Sequence, residues 1–373
     1  MISEMKGMIN YFFTSEAVCE GHPDKICDKI SDYILDCALR QDKDSKMAVE
    51  TTIKNNTVIV YGEANTKAKL DYKKLVREVL DDIGYEEEFE VIKLISEQSK
   101  EINEVVCQEE TMAGDQGIMF GYACRDTEEL MPLPIVLANG ICQSLSELRK
   151  NGGVDFLNPD GKSQVTVEYK DDKPYSVDTI VMAICHKENI SREELREFAI
   201  NEVIRKVVPR KYLDEKTKIL INQSGSFIVG GPKSDSGTTG RKLVCDTYGG
   251  MGRIGGGALS SKDPSKVDRS GAYYARYVAK NVVANGYADI CEIQVSYVIG
   301  QSKPLSIYID TKGTNKVSIE EIYEYVDKNF DFSVQNIIDE LDLLRPIYYE
   351  LACYGQMGRN ELNLTWERIK DAN

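Results

Sequence analysis

The chain has two histidines, His22 and His186, and the first stands in Gly21-His22-Pro23-Asp24, directly before an amphipathic stretch. Proline suits a first helical turn, where its missing N–H leaves nothing unpaired. The N-terminus behind it offers free N–H groups and a positive dipole end, so it attracts phosphate. A histidine and a carboxylate placed there can face a metal-bound polyphosphate. The competing reading is a helix cap by Asp24 beside a solvated histidine. A second chemical segment, residues 225–257, holds 11 of the 28 glycines. Such density lets backbone approach a ligand closely. Lys233, Arg241, Lys242 and Arg253 are interleaved with these glycines, and Lys262, Lys266, Asp268 and Arg269 follow. Cations among glycines suit a polyanion such as a nucleoside triphosphate, against the alternative of a flexible surface loop. A third segment, residues 96–123, is polar and without period until Gly-Asp-Gln-Gly at 114–117. Connections of that length are often lids.

Composition removes several other chemistries. Of 373 residues, 46 are Lys or Arg and 61 Asp or Glu, a net charge of −15. That argues against a generally basic nucleic-acid binder. Two imidazoles cannot build a multi-histidine zinc site, and a Ser-His-Asp hydrolase would have to use one of them. No Gly-x-x-x-x-Gly-Lys-Ser/Thr run occurs, and no Gly-x-Gly-x-x-Gly opens a βαβ unit, so a triphosphate would be held by another architecture. The ten cysteines form no Cys-x-x-Cys pair and many lie in apolar runs, as small buried thiols do. With no signal-like opening, a reducing cytoplasm is the expected compartment. No apolar run approaches the 18 residues of a membrane span.

The elements that position these segments recur. Three stretches follow the order helix, strand, strand, helix. The first has a helix over 25–39, strands over 48–54 and 57–62 joined by Asn55-Asn56, and a helix over 71–80 capped by Asp71. The second has a helix over 134–150, strands over 164–170 and 179–185, and a helix over 191–208 opened by a Ser191–Glu194 capping box. The third has a helix over 272–286, strands over 292–299 and 304–310, and a helix starting at 318–326, again with Ser at the cap and Glu three later. The second helices begin near 71, 191 and 318, too far apart for a solenoid. The expected fold is α+β: three similar domains with a pseudo-threefold repeat, each a mixed sheet with helices packed on one face. The apolar strands 57–62 and 179–185 leave room for a second covered face, against another subunit.

Gly-His-Pro-Asp-Lys (21–25), GDQG with MFGYA (114–123), DTYGG (246–250) and GGGALSSKDPSKVDRS (255–270), taken together, resemble the S-adenosylmethionine synthetase family, also called methionine adenosyltransferases. The resemblance runs from about Phe12 to Glu367. It implies an N-terminal domain at 10–103 with the GHPDK motif, a central domain at 111–228 with GDQG, and a C-terminal domain at 229–368 with the Gly-rich and KDPSK motifs. It implies that methionine sulfur attacks C5′ of ATP, intact triphosphate leaves, and the triphosphate is hydrolysed to diphosphate and phosphate. Two Mg²⁺ and one K⁺ are implied, as are a dimer with shared active sites and a homotetramer built from two dimers. No nucleic acid or membrane partner is expected.

The same resemblance implies site residues. His22 would lie at the bridging oxygen, with Lys162, Arg241, Lys242, Lys262 and Lys266 as the phosphate-side cations. Asp160, Ser226, Phe227, Asp235 and Ala258 would complete the ATP site, Phe227 flanking adenine. Glu63, Gln98, Asp115, Asp235 and Lys266 would handle methionine. Asp24 and Asp268 match the Mg²⁺ carboxylates and Glu50 the K⁺ carboxylate. Residues 99–113 correspond to a gating loop. A thioether is a neutral nucleophile and needs no base, which suits a chain so poor in histidine. Where the family commonly has an arginine before the phenylalanine, this chain has Ser226. Two rival readings are another ATP-dependent transferase and a non-catalytic regulatory homologue. The second should have lost His22 or the Lys262–Lys266 cluster, and both are present. His186 receives no role from the sequence.

Overall fold

A computed structural model describes residues 10–97 and 111–370. The three expected hairpin units are present. Strands β2 (Lys46–Lys54) and β3 (Thr57–Asn65) pair antiparallel around Asn55-Asn56, with Asn55 in the left-handed region at φ 49°. Strands β6 (Leu157–Lys170) and β7 (Lys173–His186) form the long central hairpin, and β10 (Ile290–Tyr297) with β11 (Ser306–Asp310) the third. Helices α1 (Pro23–Gln41), α2 (Tyr72–Ile83), α3 (Leu133–Lys150), α4 (Arg192–Phe198), α5 (Val267–Ala284) and α6 (Ile319–Asn329) fall where the apolar spacing predicts them. Asp71 caps α2, and Ser191 and Ser318 close capping boxes with Glu194 and Glu321. The helix expected over 191–208 is interrupted by a π-helical stretch at Ala199–Ile204. The widened turn keeps Leu195, Ala199, Val203 and Ile204 all buried against the sheet.

Each sheet borrows a strand from another third of the chain. The central sheet runs β1-β6-β7-β8, with β1 (Asn10–Val18) from the N-terminus and β8 (Lys218–Ile221) parallel to β7. The C-terminal sheet runs β11-β10-β5, taking β5 (Gly117–Cys124) from the stretch after GDQG, and is antiparallel among the described residues. The N-terminal sheet runs β4-β3-β2-β9, where β4 (Glu90–Ser96) is parallel to β3 and β9 (Gly237–Thr238) comes from the Gly-rich segment. A strand edge presents unpaired N–H and C=O groups that another segment can satisfy, so each exchange stitches two domains together. One hydrophobic core joins the N- and C-terminal thirds and a second fills the central domain.

Helices cover one face of each sheet, and among the described residues the other face is partly open. On β2–β4 the open face carries Glu50, Ile59, Tyr61, Glu63, Ile92 and Leu94, with Leu94 61% exposed. Phe12, Ile118 and Tyr308 are exposed on the other two sheets. Among the described residues no helix is long and apolar enough to cross a membrane. The described cysteines are unpaired, and all but Cys37 are buried.

Candidate active site

Helix α1 has the spacing of an amphipathic helix, yet it is buried on its charged side as well. Asp24, Lys25, Asp28, Lys29, Asp32 and Asp36 all lie inside the protein. Four of these are aspartates four residues apart, so they form one stripe along the helix. Each accepts main-chain N–H groups from the C-terminal third. Asp24 Oδ1 takes Thr238 at 3.0 Å, Asp28 Gly240 at 2.8 Å, Asp32 Ser261 at 3.0 Å, and Asp36 Tyr348 and Tyr349 at 3.0 and 2.9 Å. Buried carboxylates need such donors. The stripe thereby fixes the backbone of the Gly-rich segment against the helix whose N-terminus carries His22. Lys25 holds Asp28 at 2.9 Å and Asp246 of the DTYGG run at 2.5 Å. Burial raises the Asp28 carboxyl to about 7 despite Lys25, and burial raises Asp36 to about 6.

This scaffold assembles a first group of the expected residues. His22 is the N-cap of α1 and is buried. Its Nδ1 accepts the Asp24 N–H at 3.2 Å, so the neutral ring carries its proton on Nε2. Burial, then the nearby charges of Lys242 and Lys162, push its pKa down to about 4. Asp24 also pairs with Lys242 through Oδ2 and lies 3.7 Å from Arg241 Nε. Asp24 stays below the usual carboxylate range: burial opposes this, and the Lys242 and Thr238 hydrogen bonds overcome it. Asp160 Oδ2 accepts Gly231 N–H at 2.7 Å, while its buried Oδ1 has no hydrogen-bond partner among the described residues. Beside it opens a cleft of about 250 Å³, lined among others by Asn158, Cys185, Ile228, Gly230 and Lys233. Lys162 and Asp235 are exposed, both within electrostatic reach of Asp160 and His22.

A second group gathers around Asp268. Lys262 pairs with Asp268, and Lys262 also forms a β-bridge to Ala48 of β2, whose ladder partner is Glu63. Lys266 reaches Asp263 at 3.0 Å, and Asp263 holds Met47 N–H at 2.7 Å. Gly257 lets the Asp268 carboxylate sit where any side chain would collide with it. Gly117, just beyond exposed Asp115, approaches the same carboxylate. Glu50 lies on the open face of β2 opposite Tyr61, whose phenol is raised by burial and by Glu50. Gly240 lies so close to Ala258 that a side chain at 240 would collide with it. The ion pairs of the two groups run within each group. Gln98 and positions 99–110 of the expected gating loop lie outside the described residues.

Among the described residues no three His, Cys, Asp or Glu side chains form a cage for a metal. Mg²⁺ in nucleotide sites usually takes one or two carboxylates and completes its shell with phosphate and water. Asp24 and Asp268, each a carboxylate with cations close by, fit that donor set. The buried lysine and aspartate network under the Gly-rich segment escaped the sequence reading. Its only signal was the four-residue aspartate spacing, which reads equally well as a solvated face.

The low His22 pKa has a consequence for stability. The unfolded chain gains an imidazole proton near pH 6.5, roughly the ordinary value, whereas the folded chain gains it near 4. Between those values the unfolded state binds more protons, so stability falls as pH falls, by up to about 3 kcal/mol. Asparagine at 22 keeps an N-cap acceptor but does not titrate. The loss of urea midpoint between about pH 7 and about pH 4.5 should therefore be smaller in His22→Asn. An equal loss in both proteins would contradict the low pKa.

The chain matches the S-adenosylmethionine synthetase N-terminal domain over residues 10–105, the central domain over 110–227 and the C-terminal domain over 229–368. It is 50% identical over 374 residues to an S-adenosylmethionine synthase of Syntrophobacter fumaroxidans, covering 97% of this chain and 96% of the relative. It is 46% identical over 385 residues to an S-adenosylmethionine synthase of Finegoldia magna, covering 98% of each.

Proposed function

This chain belongs to the S-adenosylmethionine synthetase family and is a methionine adenosyltransferase, and from that premise we propose how its residues share the reaction. The reaction converts ATP, L-methionine and water to S-adenosylmethionine, phosphate and diphosphate. Methionine sulfur attacks C5′, and triphosphate departs before it is hydrolysed.

The observation that carries the assignment is the convergence of His22, Asp24, Lys162, Arg241 and Lys242 at the N-terminus of α1. The attacking sulfur needs no base; the demand falls on the leaving group, whose negative charge grows as C5′–O breaks. Fixed donors and cations lower that charge's energy without reorganising. His22 is placed to donate its Nε2–H to the departing oxygen. Lys162, Arg241, Lys242, Lys262 and Lys266 surround the phosphates. Asp160, whose Oδ1 has no hydrogen-bond partner among the described residues, and Ser226, Phe227, Asp235 and Ala258 hold the nucleoside end, with Phe227 against adenine. Glu63, Gln98, Asp115, Asp235 and Lys266 receive methionine. Asp24 and Asp268 are the carboxylates that would hold Mg²⁺, two ions per site, and Glu50 the one that would hold K⁺. Bound Mg²⁺ supplies neutralising charge at the triphosphate oxygens.

The site is shared between two copies. The first residue group belongs to one subunit and the group around Asp268 to its partner. Two features support this: the ion pairs of each group stay within it, and Glu50 and Glu63 sit on an open sheet face beside exposed Ile92 and Leu94. Pairing of such faces forms the dimer, and two dimers form a homotetramer in the cytoplasm. The domain limits 10–103, 111–228 and 229–368 follow the same reading.

A mixed dimer tests this reading. Co-expressed His22→Asn and Lys262→Ala chains, isolated as a heterodimer, place both lesions in one site and leave the other site intact. The heterodimer should recover about half the wild-type rate, while each variant alone is nearly inactive. A heterodimer no more active than its parents would place both groups in one subunit.

A further inference from the structure

We infer that His186 is a positioning residue for the adenine end of the site, acting through the main chain of Phe227. This rests on the reading that Phe227 lies against adenine. His186 ends β7 and is buried, with 3% of its surface exposed. Its own N–H donates to Phe227 O at 2.9 Å. Its ring Nδ1 lies 2.8 Å from the carbonyl of Lys187, which can only accept, so Nδ1 carries the proton. Nε2 is then left with its lone pair, and it accepts the N–H of Phe227 at 3.3 Å. One residue thus holds both the N–H and the C=O of Phe227, and a third hydrogen bond, from Nδ1 to Lys187 O, sets its tautomer.

The surrounding chain depends on that tie. The segment after β8 leaves the sheet at Asn222, whose side chain bonds both the N–H and the C=O of Ile184 at 2.8 and 3.0 Å. The next main-chain attachment to β7 is His186 with Phe227. Between them Gln223, Ser224 and Ser226 are exposed, and Gly225 has a φ of 108°. Beyond them, among the described residues, Ile228 O takes the contacts of Asn158 Nδ2 and Cys185 Sγ, both at 3.5 Å. With short Ser226 where the family commonly carries an arginine, Phe227 is the one large side chain of this pair. Its main chain, and so the point from which the ring projects, is held by His186.

The test separates an adenine role from a structural one, because tripolyphosphate has no adenine. His186→Phe fills the space without an acceptor. It should raise the KM for ATP about tenfold, the loss of one buried hydrogen bond. The KM for methionine and the rate of tripolyphosphate hydrolysis should stay within about twofold. His186→Gln, whose Oε1 falls near the Nε2 position, should restore most of the ATP affinity. Should His186→Phe not fold, His186→Asn keeps a donor for Lys187, has an acceptor oxygen that ends short of the Nε2 position, and carries the same comparison. Phe227→Ala isolates the premise. If it leaves the KM for ATP unchanged, the adenine reading itself fails. If it raises that KM while the His186 variants do not, or if they slow tripolyphosphate hydrolysis equally, the positioning role is overturned.

Discussion

Lys262→Ala should lower the turnover of adenosyl transfer by about a hundredfold or more, with a melting temperature only a few degrees below that of the wild type. The asymmetry follows from what Lys262 does in each state. For folding, its ammonium is one half of an ion pair with Asp268, at side-chain exposures of 18% and 15%. A pair that water still reaches contributes about 1 kcal/mol. The β-bridge from its backbone to Ala48 does not involve the side chain and survives the substitution. In the reaction the same ammonium is a fixed cation beside a triphosphate that gains charge as it leaves. Removing one such group from an enclosed site typically costs about 3 kcal/mol of transition-state stabilisation. Product formation at saturating ATP and methionine, set beside a calorimetric scan, measures both. Parallel losses of stability and rate would make Lys262 a structural residue.

His22→Asn should separate the two halves of the reaction. The asparagine oxygen can accept the Asp24 N–H as Nδ1 does, so the N-cap of α1 remains. Its amide ends short of the Nε2 position, so the donor to the departing oxygen is lost. Adenosyl transfer should slow by about a hundredfold to a thousandfold, the range seen when one oxyanion donor is removed. Hydrolysis of added tripolyphosphate breaks no C5′–O bond and should slow by less than about tenfold. Equal slowing would move His22 from the leaving oxygen to general phosphate binding. The substitution also tests the tautomer, since a ring with its proton on Nδ1 could not donate from Nε2.

Much of this site was legible before any fold was known. The Gly-His-Pro-Asp run at a helix start, the cations among glycines and the Lys262–Lys266 cluster mark a polyanion site by residue type alone. The helical spacing of 25–39, the Asn55-Asn56 turn and the capping boxes at Ser191 and Ser318 are local signals. They depend on neighbours one to four residues apart, and the structure has each of them. The aspartates of α1 were present in the same residues but not interpretable. A charged face four residues apart looks the same whether it meets water or another chain segment. His186 is a similar case: nothing near it in sequence indicates Phe227, 41 positions away.

The sequence by itself determined the three hairpin units, their caps and turns, and the residue types able to hold a triphosphate, because these are set by local spacing and side-chain chemistry. Only the tertiary structure decided where strands from one third complete another third's sheet. Ladder hydrogen bonds are made by main chain, which every residue has, so an open edge does not specify its partner in sequence. Burial of the whole decides it: β1 enters the central sheet, β5 the C-terminal sheet and β9 the N-terminal one. The last of these exchanges brings Arg241 and Lys242 to Asp24 and His22, more than two hundred residues earlier in the chain. The chemistry was written in the residue types, and the site exists because strand exchange and a buried aspartate stripe bring them together.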